Sequence, residues 1–148
     1  MPQISNKAVI MPESPIRKLV PYADKANAEG KLVYYLNIGQ PDIETPKVAL
    51  DAIRSIDEHM VLSYSHSAGY LSYRTKLSEY YKDNGIDVTP EEILITTGGS
   101  EALSFGFMTT CNPGDEIIIP EPFYANYNGF AVAAGLNVVP VTATIENG

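Results

Sequence analysis

The chain has 148 residues, of which 45% are hydrophobic, a formal net charge of -8 and a pI of about 4.6. This hydrophobic content excludes a wholly disordered chain, and the acidic balance argues against nucleic acid or an anionic membrane as partner, because both attract basic surfaces. Cys111 is the single cysteine, so no intramolecular disulfide can form, and with His59 and His66 as the histidines no zinc site is expected. Neither a signal peptide nor an apolar run long enough to span a bilayer is recognisable, so a cytoplasmic protein is expected.

Proline and capping residues mark the first elements. Residues 1–13 contain two prolines and predict an extended arm. Ser14 followed by proline is typical of a helix start, and Pro21 predicts an interruption after one turn. We expect the helix to continue to Ala28 and to end at Gly30.

The middle of the chain reads as a short strand followed by two helices joined by a loop. Residues 32–37 predict the strand, and residues 62–69 show no clear period and predict the loop. Thr45-Pro46 predicts the start of one helix, and apolar residues at helical spacing predict a second helix over residues 70–84.

In the last third of the chain, apolar segments alternate with helical ones. Residues 93–97 predict a buried strand, and the segments 116–120 and 136–141 predict two more. Helices are expected between them, ending at Thr110 and Ala134. This alternation predicts right-handed βαβ units and a parallel sheet, whose ligands bind beyond the carboxyl ends of the strands.

The turn after residues 93–97 has the composition of an anion site. Gly98 and Gly99 let a ligand approach the backbone, and the free N–H groups of a following helix favour a phosphate. Ser100 adds a hydroxyl donor. The alternative is a simple strand-to-helix connection in which Ser100 is the N-cap, and the motif taken alone favours this alternative, because glycine turns are common.

Four motifs then resemble one family when they are taken in order. They are residues 37–42 (NIGQPD), Tyr64 with Gly69, Leu71 and Arg74, residues 97–103 (TGGSEAL), and residues 112–124 from NPGD to PFY. Together they resemble the N-terminal part of a class I/II (fold type I) pyridoxal-phosphate-dependent aminotransferase. The resemblance extends over nearly the whole chain from about Ser14.

The resemblance implies an α/β fold of the aspartate aminotransferase type. Residues 1–45 are then an N-terminal arm and a segment of the small domain. Residues 46–148 are the first, incomplete part of the large cofactor-binding domain, with a mainly parallel sheet flanked by helices. An incomplete sheet leaves an open edge and an uncovered apolar face, so the isolated polypeptide is expected to be poorly soluble or to self-associate.

The resemblance also implies roles for single residues. Pyridoxal 5'-phosphate is the implied cofactor, and an amino acid and a 2-oxo acid are the implied substrates. A homodimer is the implied assembly of the full-length protein. The implied cofactor-binding residues are Gly99, Ser100 and Glu101 at the phosphate, Tyr124 on the ring, and Tyr64 reaching the phosphate of the neighbouring subunit. Gly39 and Ile16 are implied to lie near the substrate. For each of these residues an ordinary structural role is the alternative, and Arg74 is assigned no chemistry, because an exposed or a helix-packing arginine explains it equally well.

A transaminase also needs a lysine that forms a Schiff base with the cofactor and transfers a proton. The seven lysines of this chain lie in the arm, at polar helix positions or in turns, so we expect no catalytic residue here and a Schiff-base lysine beyond Gly148. The 148-residue chain by itself is therefore expected to be inactive.

Two other functions remain open at this point. Another fold type I reaction, such as that of a C–S lyase, a decarboxylase or a synthase, would use the same cofactor site. A non-catalytic regulatory or binding module is less favoured, because the first forty residues form an arm in place of a DNA-binding domain.

Overall fold

The computed structural model describes residues 2–56 and 60–146. His59, Asn147 and Gly148 therefore lie outside the described residues. The chain forms two compact units, one made of Met1–Gly39 with Thr97–Gly148 and the other of Gln40–Thr96. These units describe how the 148 residues pack, and the division at residue 45 remains a prediction about the complete fold.

The helices and strands of the described residues are numbered in chain order. They are α1 (Asn6–Ile10), α2 (Val20–Ala28), α3 (Lys47–Arg54), α4 (Leu71–Asp83), α5 (Gly99–Thr110), β1 (Glu116–Glu121), α6 (Asn126–Ala134) and β2 (Asn137–Thr142), with short 3-10 helices at Arg17–Leu19 and Pro90–Glu92.

The N-terminal arm contains a helix, so the prediction of a fully extended arm was wrong. Ser5 caps α1 by accepting a hydrogen bond from the Ala8 N–H at 3.2 Å, which satisfies a donor that the first turn leaves free. Lys7 donates to the carbonyl of Ala133 at 2.8 Å. The arm is thereby attached to the end of α6 in the first unit.

The predicted interruption of the first helix at Pro21 is not observed: the 3-10 helix Arg17–Leu19 continues directly into α2, and Leu19 and Val20 both have right-handed helical angles. Ser14 Oγ accepts a hydrogen bond from the Arg17 N–H at 3.3 Å, and the chain forms the 3-10 helix Arg17–Leu19 before α2 begins at Val20. Pro21 lies in the first turn of α2, where its missing N–H has no intrahelical acceptor to lose. Gly30, with φ of 75°, follows the end of the helix as predicted.

The predicted parallel βαβ unit forms at the end of the chain. β1 and β2 pair in parallel, with Ile118 opposite Val139, and α6 is the connection between them. Ala131 and Leu136 are the buried hydrophobic residues of the described chain, at 0% and 5% exposure. The core of the first unit is therefore small and lies where α6 turns into β2.

Two predicted strands are absent from the described residues. Segments 32–37 and 93–97 are not strands, and the sheet consists of β1 and β2. Ile93 has extended backbone angles, φ of -107° and ψ of 124°, but Leu94 is 54% exposed. The extended backbone that the pattern predicts is therefore present at Ile93, whereas a strand also needs a partner for its N–H and C=O groups.

In the second unit, α3 presents apolar side chains to solvent. Val48 and Ile53 are 77% and 65% exposed, and Ile56, just after the helix, is 56% exposed. Pro46 occupies the position before the first residue of α3 and makes no side-chain cap, so the predicted cap at Thr45 is one residue too early. The uncovered face of α3 agrees with the expectation of unburied apolar surface.

A capping box starts the 3-10 helix Pro90–Glu92. The Glu92 carboxylate accepts a hydrogen bond from the Thr89 N–H at 2.8 Å. The backbone hydrogen bond from Thr89, followed by its side-chain hydrogen bond, lowers the pKa of Glu92 below its usual value. This box fixes the chain just before the extended segment at Ile93.

Gly69 and Ile95 hold the second unit together by close approach. Gly69 has φ of 92°, and a Cβ built on it would lie 2.6 Å from Ile95 Cβ and would also overlap Ile95 Cγ1. The Ile95 N–H donates to the Ala68 carbonyl at 3.0 Å. Glycine is required here both for the backbone angle and for space.

We predict that Gly69→Ala destabilises the full-length protein more than Gly85→Ala does. Gly85 shares the left-handed backbone, with φ of 81°, but a Cβ there would meet nothing within 4 Å. The backbone angle alone should cost about 1 kcal/mol at either position, and the overlap with Ile95 should add roughly 2 kcal/mol at Gly69. Denaturant unfolding of both variants measures the difference, and equal losses would contradict the close packing of Gly69 on Ile95.

Candidate functional site

The turn that starts α5 is built on Gly98. Gly98 is the N-cap residue, with φ of 81° and ψ of 173°, and Gly99 is the first helical residue. A Cβ at either glycine would meet nothing within 4 Å. The backbone of the turn is therefore open to a ligand.

Ser100 lies inside the first turn of α5, so the alternative in which Ser100 is the N-cap was wrong. Ser100 is exposed, and its backbone carbonyl accepts a hydrogen bond from Ser104 Oγ at 2.9 Å. The hydroxyl of Ser100 thus lies beside the first-turn N–H groups, where it can donate to the same ligand.

An α-helix leaves its first N–H groups without intrahelical acceptors, and the helix dipole adds partial positive charge at that end. In α5 the N–H groups of Gly99, Ser100 and Glu101 occupy this position. An anion with several acceptor oxygens can bind all three at once. The residues present therefore fit a phosphate group.

Glu101 contributes differently from what its motif position suggests. Its carboxylate accepts a hydrogen bond from the Thr97 N–H at 2.6 Å, upstream of the helix start. An ionised carboxylate cannot donate to a phosphate, so the Glu101 side chain acts as a cap and its N–H remains for the anion.

Tyr124 follows β1 and precedes α6, at the carboxyl end of the strand where ligands bind in parallel sheets. Its side chain is half-exposed and makes an edge contact with Tyr127, with ring centroids 5.6 Å apart at 89°. The Tyr124 hydroxyl accepts a hydrogen bond from Asn126 Nδ2 at 2.6 Å. These two contacts fix the ring while leaving part of it open.

The predicted substrate residues Ile16 and Gly39 both belong to the first unit. Asn37 Nδ2 donates to the Ile16 carbonyl at 3.3 Å, so the segment leading to Gly39 is attached to the start of the first helical turn. Ile16 is half-buried and Gly39 is exposed, with nothing within 4 Å of a Cβ built on it. The structure thus brings their two segments together.

Tyr64 belongs to the second unit, where its side chain is fully exposed. The nearby His66 has a structural role, because its Nδ1 accepts a hydrogen bond from the Ala68 N–H at 3.1 Å. Arg74 is 8% exposed and binds backbone carbonyls, which favours the packing explanation over an exposed arginine.

All seven lysines fall within the described residues, and each is exposed. Four of them bind carboxylates or a carbonyl on the protein surface: Lys7, Lys31, Lys47 and Lys76. The hydrogen bond to Glu79, followed by the negative charge of Glu79, raises the pKa of Lys76. A nucleophilic amine must lose its proton, so this shift is unfavourable for such a role.

No group of three metal-ligating side chains occurs in the part of the chain that the structure describes. Across residues 2–56 and 60–146, none of the helices has the length and apolar character needed to cross a membrane. The features of the described chain that bear on chemistry are a helix start whose first N–H groups fit a phosphate, the half-exposed ring of Tyr124, and the two segments joined by Asn37.

A glycine turn that opens a helix, followed by a parallel βαβ unit, makes this an α/β protein. Comparison with known proteins makes this specific: the family model "Aminotransferase class I and II" matches residues 32–148, and the chain belongs to that family.

Two relatives and one solved structure illustrate the similarity. The chain is 37% identical over 134 residues to (5-formylfuran-3-yl)methyl phosphate transaminase of Methanocaldococcus jannaschii, covering 89% of this chain and 36% of the relative. It is 41% identical over 121 residues to a probable N-acetyl-LL-diaminopimelate aminotransferase of Bacillus subtilis, covering 79% and 30%. Alanine aminotransferase from Pyrococcus furiosus superposes with a TM-score of 0.87 at 32% identity, covering 97% of this chain and 37% of that one.

These comparisons confirm the predicted family and the fold type I, aspartate aminotransferase-like class. The chain spans about a third of the length of the relatives it matches. Sequence reasoning missed Asn37 and Asn126, whose amides hold Ile16 and Tyr124. A signal existed for Asn126, since an amide two residues after an aromatic residue at a helix start can reach back to it.

We predict that Glu101→Ala lowers the free energy of unfolding of the full-length protein by about 1 kcal/mol, because the Thr97 N–H loses its acceptor. Glu101→Gln keeps an acceptor oxygen and should lose about half as much. Chemical denaturation measures both. Glu44→Ala, at an exposed loop carboxylate, is the control and should have no effect. A loss at Glu44 equal to that at Glu101 would refute the capping role.

Proposed function

We propose that this chain supplies the phosphate-binding turn and the ring-binding tyrosine of a pyridoxal-phosphate-dependent aminotransferase, which moves an amino group between an α-amino acid and a 2-oxo acid. The observation that carries the proposal is the open glycine turn at the N-terminus of α5, in a chain that belongs to the class I and II aminotransferase family.

The phosphate would be held by the first turn of α5. The N–H groups of Gly99, Ser100 and Glu101 donate to its oxygens, and the Ser100 hydroxyl adds another donor. The Glu101 carboxylate accepts a hydrogen bond from the Thr97 N–H, so its negative charge lies toward Thr97 and does not occupy the first-turn N–H groups. The dipole and the donors then favour the dianion over water.

The ring of the cofactor would lie against Tyr124. Pyridoxal phosphate supplies an electron sink for the carbanion formed at the substrate Cα. Tyr124 orients the flat ring and excludes water from one side, and its contacts with Asn126 and Tyr127 limit rotation of its own side chain. A fixed aromatic surface costs little entropy when the ligand binds.

The substrate would meet the first unit at Gly39 and Ile16. The exposed backbone of Gly39 can donate to a substrate carboxylate, and the Ile16 side chain provides an apolar neighbour. Asn37 supports the arrangement by holding the Ile16 carbonyl at 3.3 Å. Uncharged donors of this kind recognise the carboxylate shared by all α-amino acids, and the substrate side chain is left to other contacts.

Tyr64 would complete the site of a second subunit. Its full exposure is compatible with a hydroxyl that donates to the phosphate held by a neighbouring copy. We therefore propose a homodimer as the active form. Proton transfer at the substrate Cα requires a lysine in a desolvated pocket, and the exposed lysines described here are unsuited to it. A polypeptide limited to these 148 residues is accordingly proposed to be inactive.

Another fold type I reaction is the alternative, because a lyase or a decarboxylase could use the same turn and tyrosine. Transamination is favoured by the relatives described above, which are named as a transaminase and an aminotransferase. The substrates in those names belong to those proteins, and the amino donor of this one is left to experiment.

The function is tested by purifying the full-length protein with pyridoxal phosphate and incubating it with amino acids and 2-oxo acids. We expect bound cofactor in a stoichiometric amount and a new amino acid formed from the 2-oxo acid. Release of carbon dioxide or of a thiol in place of amino transfer would support the alternative. A protein that retains no cofactor would refute the proposed site.

We also predict that Ser100→Asp weakens cofactor retention about 10- to 100-fold, because a carboxylate would face the phosphate at short range. An aspartate in the first turn stabilises a helix, so the loss cannot be attributed to unfolding of α5. Ser100→Asn has nearly the same size without the charge and should retain the cofactor much better. Equal retention by both variants, measured by dialysis and absorption of the bound cofactor, would remove the phosphate from this turn.

A further inference from the structure

Among the described residues, Arg74 is the one charged residue that is buried, with 8% of its surface exposed. It lies in the first turn of α4, after the loop that carries Tyr64. Burying a guanidinium is costly unless its donors are satisfied. No step of the proposed function uses this residue, so its burial needs another explanation.

The side chain of Arg74 joins two distant carbonyls of the second unit. Nε donates to the Gly69 carbonyl at 3.2 Å, and Nη1 donates to the Pro90 carbonyl at 2.5 Å. These acceptors lie five residues before and sixteen residues after Arg74 in the sequence. A planar guanidinium can satisfy both at once, whereas a lysine presents a single ammonium group.

Both carbonyls belong to the supports of the extended segment 93–96. The Pro90 carbonyl also accepts a hydrogen bond from the Ile93 N–H at 3.4 Å, so one oxygen joins Arg74 to the start of the segment. On the other side, the Ile95 N–H binds the Ala68 carbonyl at 3.0 Å, next to Gly69. The sheet of the described residues consists of β1 and β2 and does not include this segment, so these contacts hold Ile93 and Ile95 outside any sheet.

We propose that Arg74 is a positioning residue that fixes segment 93–96, the backbone that runs directly into Gly98 and the first turn of α5. Arg74 holds the Gly69 turn against Ile95 and holds Pro90 against Ile93. If segment 93–96 were more mobile, the first-turn N–H groups of α5 would fluctuate more and would bind a phosphate less tightly. The effect on phosphate rests on the proposed function, whereas the effect on residues 93–96 does not.

The test compares Arg74→Lys and Arg74→Met with the same substitutions at Arg54 in the full-length protein. Arg54 is a matched control because 71% of its side chain is exposed and its partner, Asp51, lies on the surface at 3.5 Å. We expect amide hydrogen exchange at Ile95 and Gly69 to become about tenfold faster in both Arg74 variants, with α6 and the later turns of α5 unchanged. Pyridoxal phosphate should dissociate about tenfold more readily, while the Arg54 variants stay within about twofold of the wild type.

The Lys variant keeps the positive charge and guards against a Met variant that does not fold. If exchange at Ile95 is unchanged in Arg74→Lys, or rises equally throughout the chain, the positioning role is refuted. Faster exchange at Ile95 with unchanged cofactor affinity would refute its extension to the phosphate. A wild-type protein that retains no pyridoxal phosphate would instead overturn the proposed function, and the exchange rates would still decide whether Arg74 fixes residues 93–96.

Discussion

The left-handed turn at Gly98 is the constraint on which the site depends. The chain approaches it in an extended conformation and leaves it as the helix α5, and the φ of 81° at Gly98 makes that change of direction in one residue. Any residue with a Cβ would be sterically strained at this angle, and its Cβ would occupy the open space before the helix. The first N–H groups of α5, which lack intrahelical acceptors, follow directly after this turn.

Burial in this chain is too limited to hold such a turn by hydrophobic packing alone. Ala131 and Leu136 are the apolar residues buried in the described chain, while Ile118 on β1 is 72% exposed. Specific hydrogen bonds therefore contribute more to holding the chain. They join Glu101 to Thr97, Glu92 to Thr89, and Arg74 to two backbone carbonyls. The exposed apolar faces agree with a chain that spans about a third of its relatives and that would bury these faces against further protein.

The parts of the fold that sequence predicted well are those with local causes. Helix α4 followed from its apolar period, and the parallel pair β1 and β2 followed from strand, helix and strand in succession. Segments 32–37 and 93–97 were predicted as strands because extended propensity is local, whereas pairing depends on residues elsewhere. The helix in the arm was missed because the prediction rested on the two prolines of residues 1–13, and the cap that Ser5 provides for α1 was not considered.

The site illustrates the same limit at the level of single groups. A motif at a helix start predicts which N–H groups are available, but not which of them a neighbouring carboxylate will bind. Glu101 and a phosphate are both anions attracted to the same end of α5, and they would compete if they used the same donors. The structure separates them, because Glu101 reaches back to the N–H of Thr97, before the turn, and leaves the first-turn donors beyond Gly98 for the ligand. The left-handed backbone at Gly98 lies between the Thr97 N–H, which the Glu101 carboxylate binds, and the first-turn N–H groups of α5. This glycine therefore influences both the shape of the anion site and the separation of the Glu101 charge from that of the ligand.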